Sequence, residues 1–468
     1  MPQSYPYTSA VELLGMIRSR QASPVEIMQQ CLARMDGLEP RINAFVTRTP
    51  ELAMEAARRA EKAVMDGGEL GALHGLPVSV KDLIAVGYVR LTFGSRTAAE
   101  NVADADAPSV ERLKAAGACI IGKTTTSEFG CKAVGDSPLT GITRNPWNTA
   151  KTPGGSSCGA AASIATGVSP FGLGTDGGGS IRGPSAFTGL FGIKPQFARV
   201  PVFPAAAAPT VSHVGPMART VRDAALLLTA IAGFDARDPF SVAEAMPDFL
   251  GACERPVKGL KVAWSPTLGY AKPAREIVAI TEQAVSVFES LGCRVEQVDR
   301  VMDADPADLW TSEFYAGIGT RLKKQYRDSP ELLDPALRDV LERALSQTFD
   351  AYYGNVVTRY AFRESIRRFF ERYDLLMTPQ TPLAAFDVGI DVPPELPDCN
   401  MVSWLYYTYP FNLTGQPAAS VPVGFTVDNL PVGLQIVAKT NREVDIFSAA
   451  AAFEQARPWA QHRPPQFN

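Results

Sequence analysis

The stretch from Lys151 to Pro184 reads KTPGGSSCGAAASIATGVSPFGLGTDGGGSIRGP, and two glycine–serine clusters stand out in it. Glycine loses more chain entropy on folding than any other residue, so such density persists mainly where backbone must approach a ligand or take positive φ. A serine hydroxyl in such a segment is a candidate nucleophile. A surface loop is the competing reading, and the apolar helix and strand expected between the clusters weigh against it.

Several motifs overlap here. Gly172, Gly174 and Gly177 fit GxGxxG, but the following Gly-Gly-Ser-Ile-Arg-Gly-Pro is a poor helix start and no acidic residue lies about 20 positions on to hold a ribose. Gly155-Ser156-Ser157-Cys158-Gly159 fits the GxSxG nucleophile elbow, which needs a strand just before it and a histidine base. Asn148 to Gly154 does not read as a strand, and only His213 and His462 follow. No lysine has a serine three positions before it, which removes the SxxK arrangement.

A serine activated without histidine requires another base. A lysine serves if it is neutral near pH 7, which burial in apolar surroundings achieves by disfavouring the ammonium. Lys81 follows the apolar run Leu76 to Val80, expected to be a buried strand. The alternative is a strand-end lysine paired with Asp82.

The elements that must carry these residues alternate in type. Val11–Arg18, Val25–Met35 and Glu51–Met65 show helical spacing, with Ser23-Pro24 as an N-cap and first helical residue. From Leu76 onward, short apolar runs (Leu76–Val80, Cys119–Ile121, Phe171–Leu173) alternate with helical stretches (Ala107–Ala116, Ala160–Ala165), as in an α/β layer fold with a buried sheet. Leu260–Trp264, Arg294–Val298, Leu375–Met377, Ala419–Gly424 and Val432–Val437 read as further strands. Arg275–Leu291 and Val444–Gln455 read as helices. The reading is one large domain over residues 1–468, with N-terminal helices in 1–70 and a helical insert at about 304–372.

Composition bounds the class. The 468 residues are 46% hydrophobic and 20% charged, with net charge −4, which describes an ordinary globular chain and offers no basic face for nucleic acid. No apolar window reaches the length of a spanning helix, and Met1 to Ala10 lacks the features of a secretory leader. The seven cysteines are scattered and never spaced CxxC, which fits a reducing cytoplasm. A histidine metal centre would consume all of His74, His213 and His462, so neither metal nor cofactor is expected.

Taken together, the segments resemble the amidase signature family. The matching pieces are Gly75 to Asp82, Pro153 to Ser157, Gly174 to Arg182, Gly192 to Pro195, Met377-Thr378-Pro379, Phe411 to Gly415 and Leu430 to Ile436. The resemblance covers most of the chain from about Leu73 to Ala451. It implies a single α/β domain whose central mixed, twisted β-sheet is sandwiched between helical layers. It also implies a Ser-cis-Ser-Lys triad: Ser180 as the acylated nucleophile, Ser156 as the bridging serine after a cis peptide, Lys81 as general base. Gly177, Gly178, Gly179 and Ser180 would offer backbone N–H groups to the oxyanion, with Asp176 and Arg182 as a supporting shell. Phe129, Gly130 and Cys131 match positions that line the acyl pocket. Cys158 stands where the family usually has glycine.

The expected activity is hydrolysis of a carboxylic amide to an acid plus ammonia or an amine, with a small-molecule amide as the partner. No nucleic acid or membrane is expected, and a homodimer is the assembly considered. Aromatic residues at 404–411, with Trp310, Phe314 and Tyr315, would either form an apolar pocket for an aryl or alkyl amide or fill a core. The alternative function is the glutaminase subunit of a tRNA-dependent amidotransferase, against which the segment from Arg199 (Arg-Val-Pro-Val-Phe-Pro) departs from that subunit's Arg-Val-Ser-Arg-Tyr-Gly. Allophanate-type hydrolases, which usually carry a further C-terminal domain, and a catalytically dead binding protein are the other readings weighed.

Overall fold

A computed structural model describes residues 4–467. The chain begins with helices α1 (Ala10–Arg18) and α2 (Pro24–Ile42), strand β1 (Phe45–Arg48) and helix α3 (Pro50–Met65). Ser9 and Glu12 form a reciprocal capping box on α1, and the Ser23 hydroxyl accepts from Val25 and Glu26 at the start of α2. α2 runs seven residues past the expected Met35, through Gly37 and Pro40, and stops at Asn43 in the left-handed region.

β2 (Pro77–Lys81), α4 (Pro108–Ala115) and β3 (Cys119–Thr124) follow, then a two-stranded ribbon of β4 (Asp136–Ser137) and β5 (Gly141–Ile142). The glycine–serine region contributes α5 (Cys158–Ala165), β6 (Phe171–Asp176) and α6 (Arg182–Thr188). Next come β7 (Phe191–Lys194), β8 (His213–Ala218), α7 (Val221–Ile231), α8 (Phe249–Ala252), β9 (Lys261–Trp264), α9 (Arg275–Ser290) and β10 (Arg294–Gln297). Between β10 and β11 (Leu375–Pro379) stand α10 (Ala307–Asp328), α11 (Pro335–Ser346) and α12 (Phe349–Phe369). The chain closes with α13 (Pro410–Thr414), β12 (Ala418–Phe425), β13 (Pro431–Ala438) and α14 (Glu443–Ala456).

Eleven strands form one mixed sheet in the order β1-β3-β2-β6-β8-β7-β12-β13-β11-β9-β10. β2 runs parallel to β3 and β6, and β9 parallel to β10 and β11; the other neighbours are antiparallel. Strands β1, β7 and β8 are additions to those expected from periodicity. β8 carries Gly215 and Pro216, and β7 is four residues beside a glycine turn, so neither stands out as a strand.

The sheet is buried on both faces, and strand alternation decides what each face receives. Val78 and Val80 of β2 pack with Phe171 and Leu173 of β6 in a large core shared with α1, α7 and α14. Ser79 and Lys81 therefore turn to the other face, under α5, whose Ala160, Ala161 and Ile164 form a separate small cluster with Ile181 and Met217. The segment after the triple glycine, a poor helix start by its residues, does enter a helix, α6. The Asp176 carboxylate accepts from the N–H groups of Gly179, Ile181 and Arg182, supplying acceptors for the first turn, and Pro184 sits where no intrahelical donor is needed.

Candidate active site

Lys81 ends β2 fully buried, and its Nζ donates to Ser156 Oγ at 2.7 Å and to Thr175 Oγ1 at 2.8 Å. It does not pair with Asp82. That carboxylate turns to Lys123 on the neighbouring strand, at 2.8 Å, and also accepts from Thr92. With no carboxylate in contact, desolvation dominates and lowers Lys81 to about 7.

The serine pair before α5 divides cleanly. Ser156, joined to Gly155 by a cis peptide, presents its hydroxyl to Lys81. Ser157 turns its hydroxyl to the Thr175 carbonyl at 3.2 Å and its N–H to the Ser180 carbonyl at 3.2 Å. Gly172 and Gly174 are not a phosphate turn but positions inside β6. A methyl on Gly172 would lie 2.3 Å from Ser79 Oγ, and one on Gly174 would lie 3.0 Å from Ser157 Oγ. They are small so that β2 and the serine loop can close on the sheet.

Ser180 is partly open to solvent, and among the described residues its hydroxyl has no hydrogen-bond partner. The loop before it is held by Asp176, which is fully buried and ion-paired with Arg182 at 2.9 Å. Burial would raise the Asp176 carboxyl, but the Arg182 charge and the hydrogen bonds from Arg182 and Asn412 hold it well below the usual carboxylate range. Gly179 departs from the expected oxyanion set, since its N–H is committed to Asp176 Oδ1 at 2.8 Å. The N–H groups of Gly177, Gly178 and Ser180 have no acceptor among the described residues.

Aromatic side chains of α10 press on this loop. Trp310 Nε1 donates to the Gly177 carbonyl at 2.7 Å; a methyl on Gly178 would meet the Trp310 ring at 2.6 Å, and one on Gly177 would meet Phe314 at 2.8 Å. Thr408 Oγ1 donates to the Gly178 carbonyl. Trp404 and Tyr407 do not reach the loop: Trp404 stacks on Phe187 and meets Phe386 edge-on, and Tyr407 is fully buried. This part of the 404–411 segment is core.

Gly130, at φ +72°, backs onto Ser156, because a methyl there would sit 3.1 Å from Ser156 Oγ. Cys131 is fully buried, with its carbonyl accepting from Tyr315 Oη at 2.9 Å and its thiol pushed well up by burial. It packs in the core rather than opening toward a substrate. Cys158 is likewise buried at the start of α5, its Sγ donating to the Thr125 carbonyl.

The residues that sequence reasoning missed are those that converge from far along the chain. Thr175 shares Lys81. Asn412 Nδ2 donates to Asp176 Oδ1 at 2.9 Å and its Oδ1 accepts from Arg182 at 2.7 Å. Gln435 Oε1 accepts from Arg182 at 2.8 Å, and Gln435 Nε2 donates to Thr378 Oγ1. The motifs around Thr378, Asn412 and Gln435 are visible in the sequence; a polar residue inside an otherwise apolar segment, in strands β11 and β13 and in helix α13, is the signal that it binds something. His213 lies opposite Asp176 in the β6–β8 ladder but touches none of Lys81, Ser156 and Ser180. Its Nδ1 faces the Val211 carbonyl and its Nε2 faces Lys194. A cavity of about 540 Å³ beside α3, lined by Leu52, His74, Tyr88 and Lys123, contains none of Lys81, Ser156 and Ser180. Among the described residues no group of three or more His, Cys, Asp or Glu is placed to hold a metal, and no helix is long and apolar enough to cross a membrane.

Comparison with known proteins agrees across the chain. A family model described as Amidase matches residues 26–447. The chain is similar to an acylamidase of Rhodococcus erythropolis, 35% identical over 474 residues, covering 99% of this chain and 98% of that one. It is also similar to a glutamyl-tRNA(Gln) amidotransferase subunit of Moorella thermoacetica, 35% identical over 484 residues and covering 98% of each. Among solved structures, a bacterial aryl acylamidase of the amidase signature enzymes superposes with a TM-score of 0.92 at 30% identity, covering 98% of each chain.

Proposed function

This chain belongs to the amidase family and is an amide-hydrolysing enzyme, and we propose that it works through an ester formed on Ser180. The observation carrying this reading is the Lys81 amine: buried, 2.7 Å from Ser156 Oγ, and lowered to about 7, so that a large share is a neutral base near neutral pH.

In the proposed sequence, Ser180 Oγ attacks the amide carbonyl carbon while its proton passes to Ser156, whose own proton passes to Lys81 Nζ. The oxyanion that forms accepts from the N–H groups of Gly177, Gly178 and Ser180; one such donor is typically worth about 10²–10³ in rate. Asp176 and Arg182 act by holding the loop that aims those donors. As the C–N bond breaks, Ser156 returns a proton to the departing nitrogen and draws another from Lys81. Water then attacks the ester, giving its proton back along the same route, and the acid leaves with Ser180 restored.

The substrate class we propose is an amide with an apolar or aryl group. Its support is the likeness to an acylamidase and an aryl acylamidase, together with Trp310 and Phe314 packed against the loop. The seven free cysteines support a cytoplasmic location. The amidotransferase reading keeps a specific observation in its favour, the 35% identity to the Moorella thermoacetica protein. Purified chain alone is the test: turnover of a neutral anilide, with a fluorophosphonate adduct mapped to Ser180 by mass spectrometry, is expected. An adduct on another residue, or turnover of glutamine only within a complex, overturns the proposal.

A further inference from the structure

α10 carries a second feature on the face that holds Trp310 and Phe314. Arg321 follows Phe314 by seven residues, which at 3.6 residues per turn returns it to nearly the same side, about 10 Å further along the helix. There its guanidinium carbon lies 4.8 Å from the ring centroid of Phe93 and 5.9 Å from that of Phe129. The two rings are stacked, with centroids 5.4 Å apart and planes 13° from parallel.

The stack is a built feature. Phe93 and Phe129 both take positive φ, 55° and 49°, a conformation uncommon for residues other than glycine, and the Phe129 N–H donates to the Phe93 carbonyl at 2.8 Å. Phe129 is bonded directly to Gly130, the residue whose backbone backs onto Ser156 Oγ. From the Gly177–Gly178 loop, Phe314, Phe129 and Arg321 thus follow one another along α10, Phe314 against the loop, Phe129 in the same aromatic cluster and Arg321 over Phe129.

Arg321 stands solvent-exposed over these two rings, with no polar partner among the described residues. Among the described residues it makes no hydrogen bond and no ion pair, whereas Arg359, also in the insert, is paired with Glu313, and Arg182 with Asp176. A guanidinium lying over aromatic rings uses its face and leaves the N–H donors at its edge directed outward, in the fork that matches a carboxylate.

We propose that Arg321 recognises a carboxylate carried by the substrate at the end remote from the scissile amide. The substrate class is then an amide whose apolar or aryl spacer, long enough to cover about 10 Å of helix, ends in an acid. The proposal rests on the reading of the site given above, and it accounts for a row of aromatic side chains ending in a cation. Short charged amides such as malonamate would place their carboxylate among the aromatic rings instead.

The test measures binding, so that it does not depend on turnover. Calorimetric titration of the Ser180→Ala protein with suberic acid monoanilide and with octananilide, equal in chain length and differing in the terminal acid, gives a ratio of affinities. The acid is expected to bind about tenfold or more tightly than the neutral anilide, and Arg321→Gln on the same background to remove that preference. Arg321→Lys, which keeps the charge without the planar fork, is expected to retain part of it. No preference in the parent protein, or the same ratio in both Arg321 variants, overturns the assignment. Binding of neither anilide overturns it together with the acyl-site reading, while binding without an acid preference overturns it alone.

Discussion

The backbone N–H of Ser157 donates to the carbonyl oxygen of Ser180 over 3.2 Å. This bond ties the two glycine–serine clusters main chain to main chain, so the backbone segments that carry Ser156 and Ser180 are held side by side. With Ser156 Oγ held by Lys81 and the Ser180 loop held by Asp176, each participant is anchored from a different strand. Such anchoring is what proton transfer between positioned groups requires.

Lys81 makes the pH profile predictable. Its folded-state pKa is lowered to about 7, and in the proposed mechanism the neutral amine is the working form, so kcat/KM should rise with pH through about 7 and then level. The same shift has a stability consequence: between about 7 and the ordinary lysine value near 10.4, the unfolded chain binds more protons than the folded one, so this group's contribution favours folding increasingly as pH rises. Lys81→Met should therefore gain most in melting temperature over wild type below pH 7, with the gain shrinking above it. A kcat/KM that falls as pH rises through 7 would contradict the assignment.

The adjacent serines should behave unequally. Ser180→Ala and Ser156→Ala should each lower kcat by about 10⁴-fold or more, as expected when members of one proton-transfer unit are removed. Ser157→Ala loses hydroxyl contacts to Thr175 but keeps its N–H bond to Ser180, and should cost much less. Equal losses at 156 and 157 in steady-state assays would remove the distinction.

His213 should be dispensable for the chemistry. Burial, joined by the Lys194 charge, holds its imidazole well below the ordinary range, and both ring nitrogens are engaged away from the serines. His213→Gln should leave kcat within about tenfold; a loss near 10⁴ would restore a serine–histidine mechanism.

Asp176→Asn leaves Arg182 buried without its counter-charge. Breaking a buried pair in this way typically costs about 3–5 kcal/mol, so a clear drop in the denaturation midpoint is expected. Because Asp176 also receives the Gly179 N–H, kcat should fall even at temperatures where the variant is fully folded. An unchanged midpoint would show that Asn412 and Gln435 satisfy Arg182 by themselves.

Gly178→Ala places a methyl 2.6 Å from the Trp310 ring, closer than real contacts allow. The loop or the indole must shift, and kcat should fall about 10²-fold if an oxyanion donor is displaced. The double variant Gly178→Ala/Trp310→Ala should recover part of the rate.

The ingredients of this site are local and legible along the chain. Burial of Lys81 is written in the run Leu76–Val80, the need for close backbone approach in the glycines, the α/β layering in alternating apolar runs, and the helical insert in residues after 304. Each of these lives in spacing and composition within about a dozen residues. The pairings came from folding in three dimensions. Strand neighbours gave Asp82 to Lys123 and so left Lys81 to desolvation, sent Ser157 to the backbone and Ser156 to the amine, and committed the Gly179 N–H to Asp176. They also sent Trp404 to the core while Trp310 went to the loop, and gathered Asn412 and Gln435 on a single ion pair. Those choices depend on which strands lie side by side in an eleven-stranded sheet and on which helices and loops pack against it. A contact such as that of Arg182 with Gln435, 253 positions apart, leaves no periodic trace in the chain that makes it.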